Sequence, residues 1–451
     1  MHVTPSAGDN NTLTWALWFK RSGDLSLTHT ILSGGTAGNH CAFGISTDGT
    51  LDIQTNGGIA TYLNFDTTRP IMDHEWHHYV IKYDDTQALD TARFSFYIDG
   101  VMITDWVNEV YPNQNIGTNG WGEAKTHDVG RYLGGINHCA GYFADVYYIN
   151  GKAYPPEMFG KFGEGNWVPI TYAGDTTGTG SFHLKFEDSA NFGYDEFSTS
   201  NLLTEVNQAT TDQSTDTPTN SFPILSVTSG DPTEEGGLKI LFDESPNEMA
   251  YAHEFPIPNT GKWYIEAYWD AAAGSYKTGV ENTQIGLIQL RYGHSTNANI
   301  EPASPAGWIN MSDDASVWGI SRRDSGATIT RILSGNDFNV GDWVAIAIDM
   351  DADQVSFYIN NSLEVAVQSM PMRDNTWGDD VTNPWIFAIG KNGNTGDNPT
   401  WYVNFGGADP GGHFGANTDE NGFGAFQYSP PSGFLALCDS NIRRARGEYV
   451  T

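Results

Sequence analysis

The sequence predicts an all-β protein built from two antiparallel β-sandwiches, and three observations carry that prediction. Aromatic residues make up 13% of the 451-residue chain and glycines number 51, a mixture that suits short strands joined by tight turns. Apolar residues recur with a period of two, as in "TWALWFKR", where Trp15, Leu17 and Phe19 alternate with Ala16, Trp18 and Lys20, and no stretch sustains a helical period. Asp-Gly and Gly-Gly punctuate these runs in "STDGTLDI", "YIDGVMI", "LSGGTAG" and "YLGGINH", supplying the positive φ that hairpin turns need.

The first sandwich is expected over residues 1–190, where "TWALWFKR", "EWHHYVIKYD", "ARFSFYIDG" and "SFHLKFED" read as half-buried strands. Over 191–258 the texture turns to Ser, Thr, Asp and Pro, in "STSNLLTEVNQATTDQSTDTPTNSFPILSVTSGDPTEEGG", which reads as an extended connector. Strand patterning resumes at "GKWYIEAYWD" and continues through "DWVAIAIDMD" and "WYVNFGG" to "GFLALC", giving a second sandwich over 259–440. Residues 441–451, "NIRRARGEYVT", set Arg443, Arg444 and Arg446 in a basic tail expected to be solvated. Two stretches echo one another: "EWHHYVIKYDDTQALDTARFSFYIDG" from Glu75 and "DWVAIAIDMDADQVSFYINN" from Asp342. They read as analogous hairpins, each a Trp-led strand, an acidic tip and a Phe-Tyr-Ile return, and they require no internal duplication.

Lys and Arg total 22 against 55 Asp and Glu, and the formal charge of −33 disfavours nucleic acid and anionic lipid as partners. No run of about 18 apolar residues appears, and "MHVTPSAGDNNTLTW" lacks the basic start and apolar core of a secretory signal. Neither membrane insertion nor conventional secretion is expected. Cys41, Cys139 and Cys438 are too few and too far apart for a disulfide framework or a CxxC zinc site. Buried thiols and a Cys41–Cys139 bridge both remain open at this level.

Glycoside hydrolysis generally needs two carboxylates about 5–10 Å apart. Neither "FEDSANFGYDEF" nor "DESPNE" has suitable spacing, so no catalytic residue is assigned and an enzyme is not expected. In "DMDADQVSFYIN", Asp349, Asp351 and Asp353 occupy the first ligand positions of a calcium loop, but Gln354 replaces the turn glycine and Asn360 the closing glutamate. "DHEWHH" gathers His74, His77 and His78, yet His77 and His78 point to opposite faces of a strand and read as an exposed strand start. Trp15, Trp76, Trp263 and Trp343 sit in strand patterns and belong to cores. Trp106, Tyr111 and Trp121, followed by Tyr276, Trp308 and Trp377, lie instead in polar, Gly- or Asn-rich sequence expected to form loops, where aromatic faces can stack on sugar rings. These six are the candidate ligand-binding residues.

The N-terminal motifs "TWALWFKRSG", "GISTDGTLDI", "EWHHYVIKYD", "FSFYIDGVMI" and "YFADVYYINGKAYPPEMFGKF" resemble a laminin-G-like, concanavalin A-type jelly roll. The C-terminal motifs "GKWYIEAYWD", "SVWGISRR", "PWIFAIGK" and "WYVNFG" resemble a SPRY domain. Together with the connector and the closing "PPSGFLALC", the order resembles tail-fibre and host-recognition proteins of tailed, largely marine, phages. The resemblance implies a non-enzymatic virion protein, made in the host cytoplasm and released by lysis, whose partners are host-surface glycan or protein and other virion proteins. A capsid-attached fibre or decoration protein is the alternative, and a polysaccharide-acting enzyme the third reading. No cofactor is expected, although the resemblance leaves a calcium ion at the loop rim of the first domain open. Proteins of this type carry another strand before "TPSAGDNNTLTW"; the expectation is therefore an open edge covered by a neighbour in a homotrimer.

Overall fold

The computed structural model describes the chain outside residues 24, 26, 57–60, 69, 136, 164, 199–201, 228–232, 243–246, 253, 274–281, 290–307, 313–318, 324–328, 333–337, 365–367, 370–383, 393–397, 408–411 and 448–451. It is nearly all β, with paired sheets in each of two compact units: residues 1–213 with 217–219, and residues 214–216 with 220–451.

In the first unit a six-stranded sheet faces a seven-stranded sheet. Strand Thr12–Arg21 lies inside the six-stranded sheet, between Gly141–Asn150 and Trp76–Asp84. The alternation read in "TWALWFKR" holds: Trp15, Leu17 and Phe19 enter the core and meet Ile31, Phe43, Ile53 and Phe65 of the other sheet. Ring contacts lock the two sheets together, with Phe43 lying 5.4 Å from both Tyr79 and Phe96. The other face of the six-stranded sheet is covered too. Ala16, Val80, Tyr147 and Ile149 pack under Phe159, and Trp18 and Trp76 under Trp167.

The edge expected to be open is filled from within the chain. His2–Val3 pairs with His127–Val129 at the border of the seven-stranded sheet, and His2 forms a bridge with Thr204 on its other side. The border strands on the opposite side are Val101–Met102 and Trp106–Val110, where Val101, Met102, Val107 and Val110 are exposed.

The span read as a connector does not stand apart. Residues up to Gln213 belong to the first unit, while Ser226–Val227, Lys239–Leu241 and Asn247–Tyr251 are strands in the sheets of the second. Lys239–Leu241 and Asn247–Tyr251 lie inside their sheets and bury Ile240, Met249 and Tyr251, but such short apolar runs within polar sequence give no sustained alternation to read. The second unit's sheets meet through Trp401, which stacks on Trp269 at 5.4 Å and donates its indole N–H to Thr283 Oγ1 at 3.0 Å. The basic tail exposes Arg444 and Arg446, but its start is anchored. Asp439–Ala445 forms a helix whose Asn441 and Ile442 are buried, with Asn441 Nδ2 donating to Asp419 Oδ2 at 2.7 Å.

The two echoing stretches are hairpins, Trp76–Asp84 with Phe94–Ile98 and Trp343–Asp349 with Gln354–Ile359, and each return strand ends in a two-residue turn. Asp99 (φ 50) and Gly100 (φ 76) lead the first into Val101–Met102; Asn360 (φ 47) and Asn361 (φ 66) lead the second into Ser362–Leu363. Positive φ at both central positions is the type I′ signature, which explains Asp-Gly and Asn-Asn at these points.

Candidate functional site

Trp121 is a core residue: it is 2% exposed and its ring lies 5.7 Å from that of Trp15. Trp106 and Tyr111 flank one ring, edge-on to Phe65 at 4.8 and 4.9 Å, and are half-buried against the same core. The Tyr111 hydroxyl donates to Glu109 Oε1 at 2.6 Å. Trp308 opens a strand, Trp308–Ser312, opposite Ile288 and Arg323, rather than lying in a loop. Tyr276 and Trp377 lie outside the described residues. Of the six candidates, the structure brings Trp106 and Tyr111 together, around Phe65.

The histidine cluster divides as strand alternation requires. His77 donates from Nδ1 to Asp99 Oδ2 at 2.7 Å and from Nε2 to Asp73 Oδ1 at 2.9 Å. Burial opposes its charge, but the two carboxylates win and raise it to about 10. His78 faces the other way and is 1% exposed, against the expectation of an exposed strand start, because the Gly160–Gly163 and Asn166–Pro169 hairpin covers it. Its Nδ1 accepts from Trp167 Nε1 at 3.1 Å, and burial lowers it to about 3. These are structural roles. The acidic tip at Asp349–Asp353 is likewise tied internally. Asp349 pairs with Lys262 at 2.9 Å and accepts from the amides of Asp351 and Ala352.

A more site-like arrangement lies on the outward face of the seven-stranded sheet. In Asn39–Ile45, Leu51–Asn56 and Thr61–Thr67, Cys41, Phe43, Ile53 and Phe65 turn into the core, so His40, Ala42, Gly44, Asp52, Gln54, Asn64 and Asp66 turn outward. Register sets Asp52 beside Gly44 on one side and Asp66 on the other, with Asn108 next in line. Gln54 stands beside Ala42 and donates to Asp52 Oδ2 at 3.2 Å. Asn108 donates to Asp66 Oδ2.

Tyr132 borders this floor. The loop carrying it is pinned to the sheet, since Leu133 donates its amide to Ser33 Oγ and Ser33 Oγ donates to the Arg131 carbonyl, both at 3.0 Å. The Tyr132 hydroxyl lies 3.0 Å from His40 Nε2, and the Asp52 charge reaches the phenol. Small residues beneath, acid and amide on one flank and a phenol ring on the other make a polar trough.

Asp52 and Asp66 are hydrogen-bonded to each other, and burial followed by the Asp66 charge pushes Asp52 up to about 7. Asp52 therefore takes up its proton near neutrality. Carboxyl groups in direct contact stand too close to flank a glycosidic bond, which retaining enzymes bracket at about 5–5.5 Å. His40 Nδ1 is shielded from solvent without a hydrogen-bond partner among the described residues. Sequence reading missed this face because its members are scattered polar residues on three strands and a loop. The available signal was the alternation "LDIQTN", whose polar positions are an acid and two amides.

The three thiols are free. Among the described residues, no group of three or more His, Cys, Asp or Glu is arranged to hold a metal ion.

Residues 2–154 match the laminin-G-type family model described as the concanavalin A-like lectin/glucanases superfamily. Among curated proteins, none matches the chain. Solved structures similar to it include domains LG4-5 of the mouse laminin alpha1 chain, at 10% identity over 97% of this chain and 84% of that one, with a TM-score of 0.27. The SPRY domain of human HERC1 is similar at 11% identity over 39% of this chain and 92% of that one, TM-score 0.28. Carbohydrate-binding module CBM66 from Bacillus subtilis is similar at 10% identity over 40% and 93%, TM-score 0.25. At these scores the likenesses carry no argument about ligand or partner; the family match covers residues 2–154, within the first unit, and agrees with its paired antiparallel sheets.

Proposed function

We propose that this protein is a non-enzymatic adhesin that engages carbohydrate at a cell surface. The observation that carries the reading is the polar trough of the first unit, where Asp52, Gln54 and Asn108 offer hydrogen-bonding groups beside the Tyr132 ring. Sugar recognition uses such a pairing of directional polar groups with an aromatic face. The contact between the two acids favours binding over hydrolysis.

The order of a laminin-G-like region before a SPRY-like region motivates the finer reading, a tail-fibre or receptor-binding protein of a phage virion. The alternative, a capsid-attached fibre or decoration protein serving assembly, gains support from the exposed apolar borders at Val101–Met102 and Trp106–Val110. Antibody labelling of intact virions by electron microscopy separates them. Label at the tail supports the adhesin on a fibre, label over the capsid supports decoration, and unlabelled virions together with failure of the pure protein to adsorb to cells refute both.

A further inference from the structure

We infer that the trough on the outward face of the seven-stranded sheet binds a neutral, hydroxyl-rich glycan, with Asp52, Asp66, Gln54 and Asn108 taking its hydroxyls and Tyr132 its ring face. The inference rests on the carbohydrate-binding reading above and names the ligand class and the surface.

Four observations lead to it. First, register sets the hydrogen-bonding side chains of Gln54 and Asp52 beside the small residues Ala42 and Gly44, which raise no bulky side chain next to them. Second, the rim is preorganised, since Ser33 fixes the loop on which Tyr132 stands and His40 meets its hydroxyl. Third, His40, 6% exposed, has an Nδ1 with no hydrogen-bond partner among the described residues, while its Nε2 meets the Tyr132 hydroxyl. A polar atom left unmatched by the fold is costly, so this face carries hydrogen-bonding capacity that the fold does not use. Fourth, the charge is one-sided. Two adjacent carboxyls, two amides and a phenol line the trough, in a chain of net charge −33.

That charge decides between ligand classes. A uronic acid, sialic acid or sulfate group would be brought against Asp52 and Asp66, and among the described residues of these strands no Lys or Arg stands beside the pair to receive it. Vicinal hydroxyls, by contrast, donate to carboxylates in short, strong hydrogen bonds. An aromatic wall adds contact with the apolar face of a pyranose.

The experiment is a glycan array carrying neutral and anionic oligosaccharides, probed with the full-length protein, followed by calorimetry on the best neutral binder. Gln54→Ala and Tyr132→Ala are compared with wild type, with melting temperature measured alongside. The expected result is binding confined to neutral glycans, weakened at least tenfold by Gln54→Ala, and by Tyr132→Ala wherever that variant keeps its melting temperature. Binding confined to anionic glycans, or to neutral glycans with affinity unchanged in Gln54→Ala, overturns the inference. So does the absence of any neutral binder. Adsorption of the same protein to whole cells is scored separately: adsorption without neutral-glycan binding sinks this inference and leaves the adhesin reading standing, whereas loss of both sinks the two together.

Discussion

Asp99 binds both main-chain groups of His78: its amide donates to the His78 carbonyl at 2.9 Å, and its Oδ1 accepts from the His78 amide at 2.8 Å. Asn360 makes the same two bonds with Trp343, at 2.9 and 3.0 Å. The side chain before each also joins in, His77 to Asp99 and Asp342 to Asn360. This clasp accounts for the echo between the two stretches, and it shifts their alignment. Trp343 corresponds to His78, not to Trp76, so the shared tryptophans hold different positions and the shared feature is the turn residue.

His77→Ala tests the clasp in the first unit. A group whose folded value is raised contributes stability that is complete below its unfolded value near 6.5 and disappears as pH rises through about 10. Because Asp73 and Asp99 are partly exposed, the loss is expected to be about 2 kcal/mol at pH 6. Denaturant titrations of both proteins across that range check it; the difference is expected to be constant from pH 5.5 to 6.5 and to shrink by pH 10.

Asp52→Asn should stabilise where His77→Ala destabilises, although both contributions fall as pH rises. The raised carboxyl favours folding below its unfolded value near 3.8, and that contribution is lost as pH rises through about 7. An amide keeps a hydrogen bond to Asp66 without the charge. Melting temperatures are expected to agree at pH 4 and to favour the variant at pH 8, and a variant less stable at pH 8 refutes the raised carboxyl.

Glu266→Gln addresses the second unit. Glu266 is fully buried and accepts from the amides of Gln427 and Tyr428 at 2.8 and 2.9 Å and from the Tyr264 hydroxyl at 2.9 Å. Glutamine would turn an NH2 group toward one of these donors, leaving it unmatched. A loss of about 1–3 kcal/mol is expected in chemical denaturation, with the C-terminal segment around Tyr428 gaining hydrogen exchange first.

Trp121→Ala is expected to destabilise the first unit by about 3–5 kcal/mol, as removal of a packed indole does, while glycan binding persists in whatever fraction remains folded. Melting and array binding measured on one sample separate the two effects. Lost binding at full stability would return Trp121 to the site.

How legible was this molecule beforehand? The strands and turns were, because period-two alternation and Asp-Gly punctuation are local. Trp15, Leu17 and Phe19 fell on the face expected of them. The status of Trp121 was not. "GTNGWGEA" is loop sequence, and a loop can thrust one indole into a core when a glycine such as Gly34 gives it room; a Cβ there would sit 2.6 Å from the indole ring. The candidate trough was the least legible, since it depends on which strands become neighbours. Asp52 and Asp66 are 14 residues apart in sequence, and only the register of an antiparallel pair sets them face to face.

The free thiols give the protein built-in reporters of its own breathing. Cys41 is fully buried in the first unit and Cys438 in the second, and burial pushes each thiol up to about 12. A closed sandwich therefore offers a reagent neither access nor thiolate. Labelling of Cys41 times the opening of one sandwich and labelling of Cys438 that of the other. With the peptides resolved by mass spectrometry, a single native sample yields two separate opening free energies without any engineered probe.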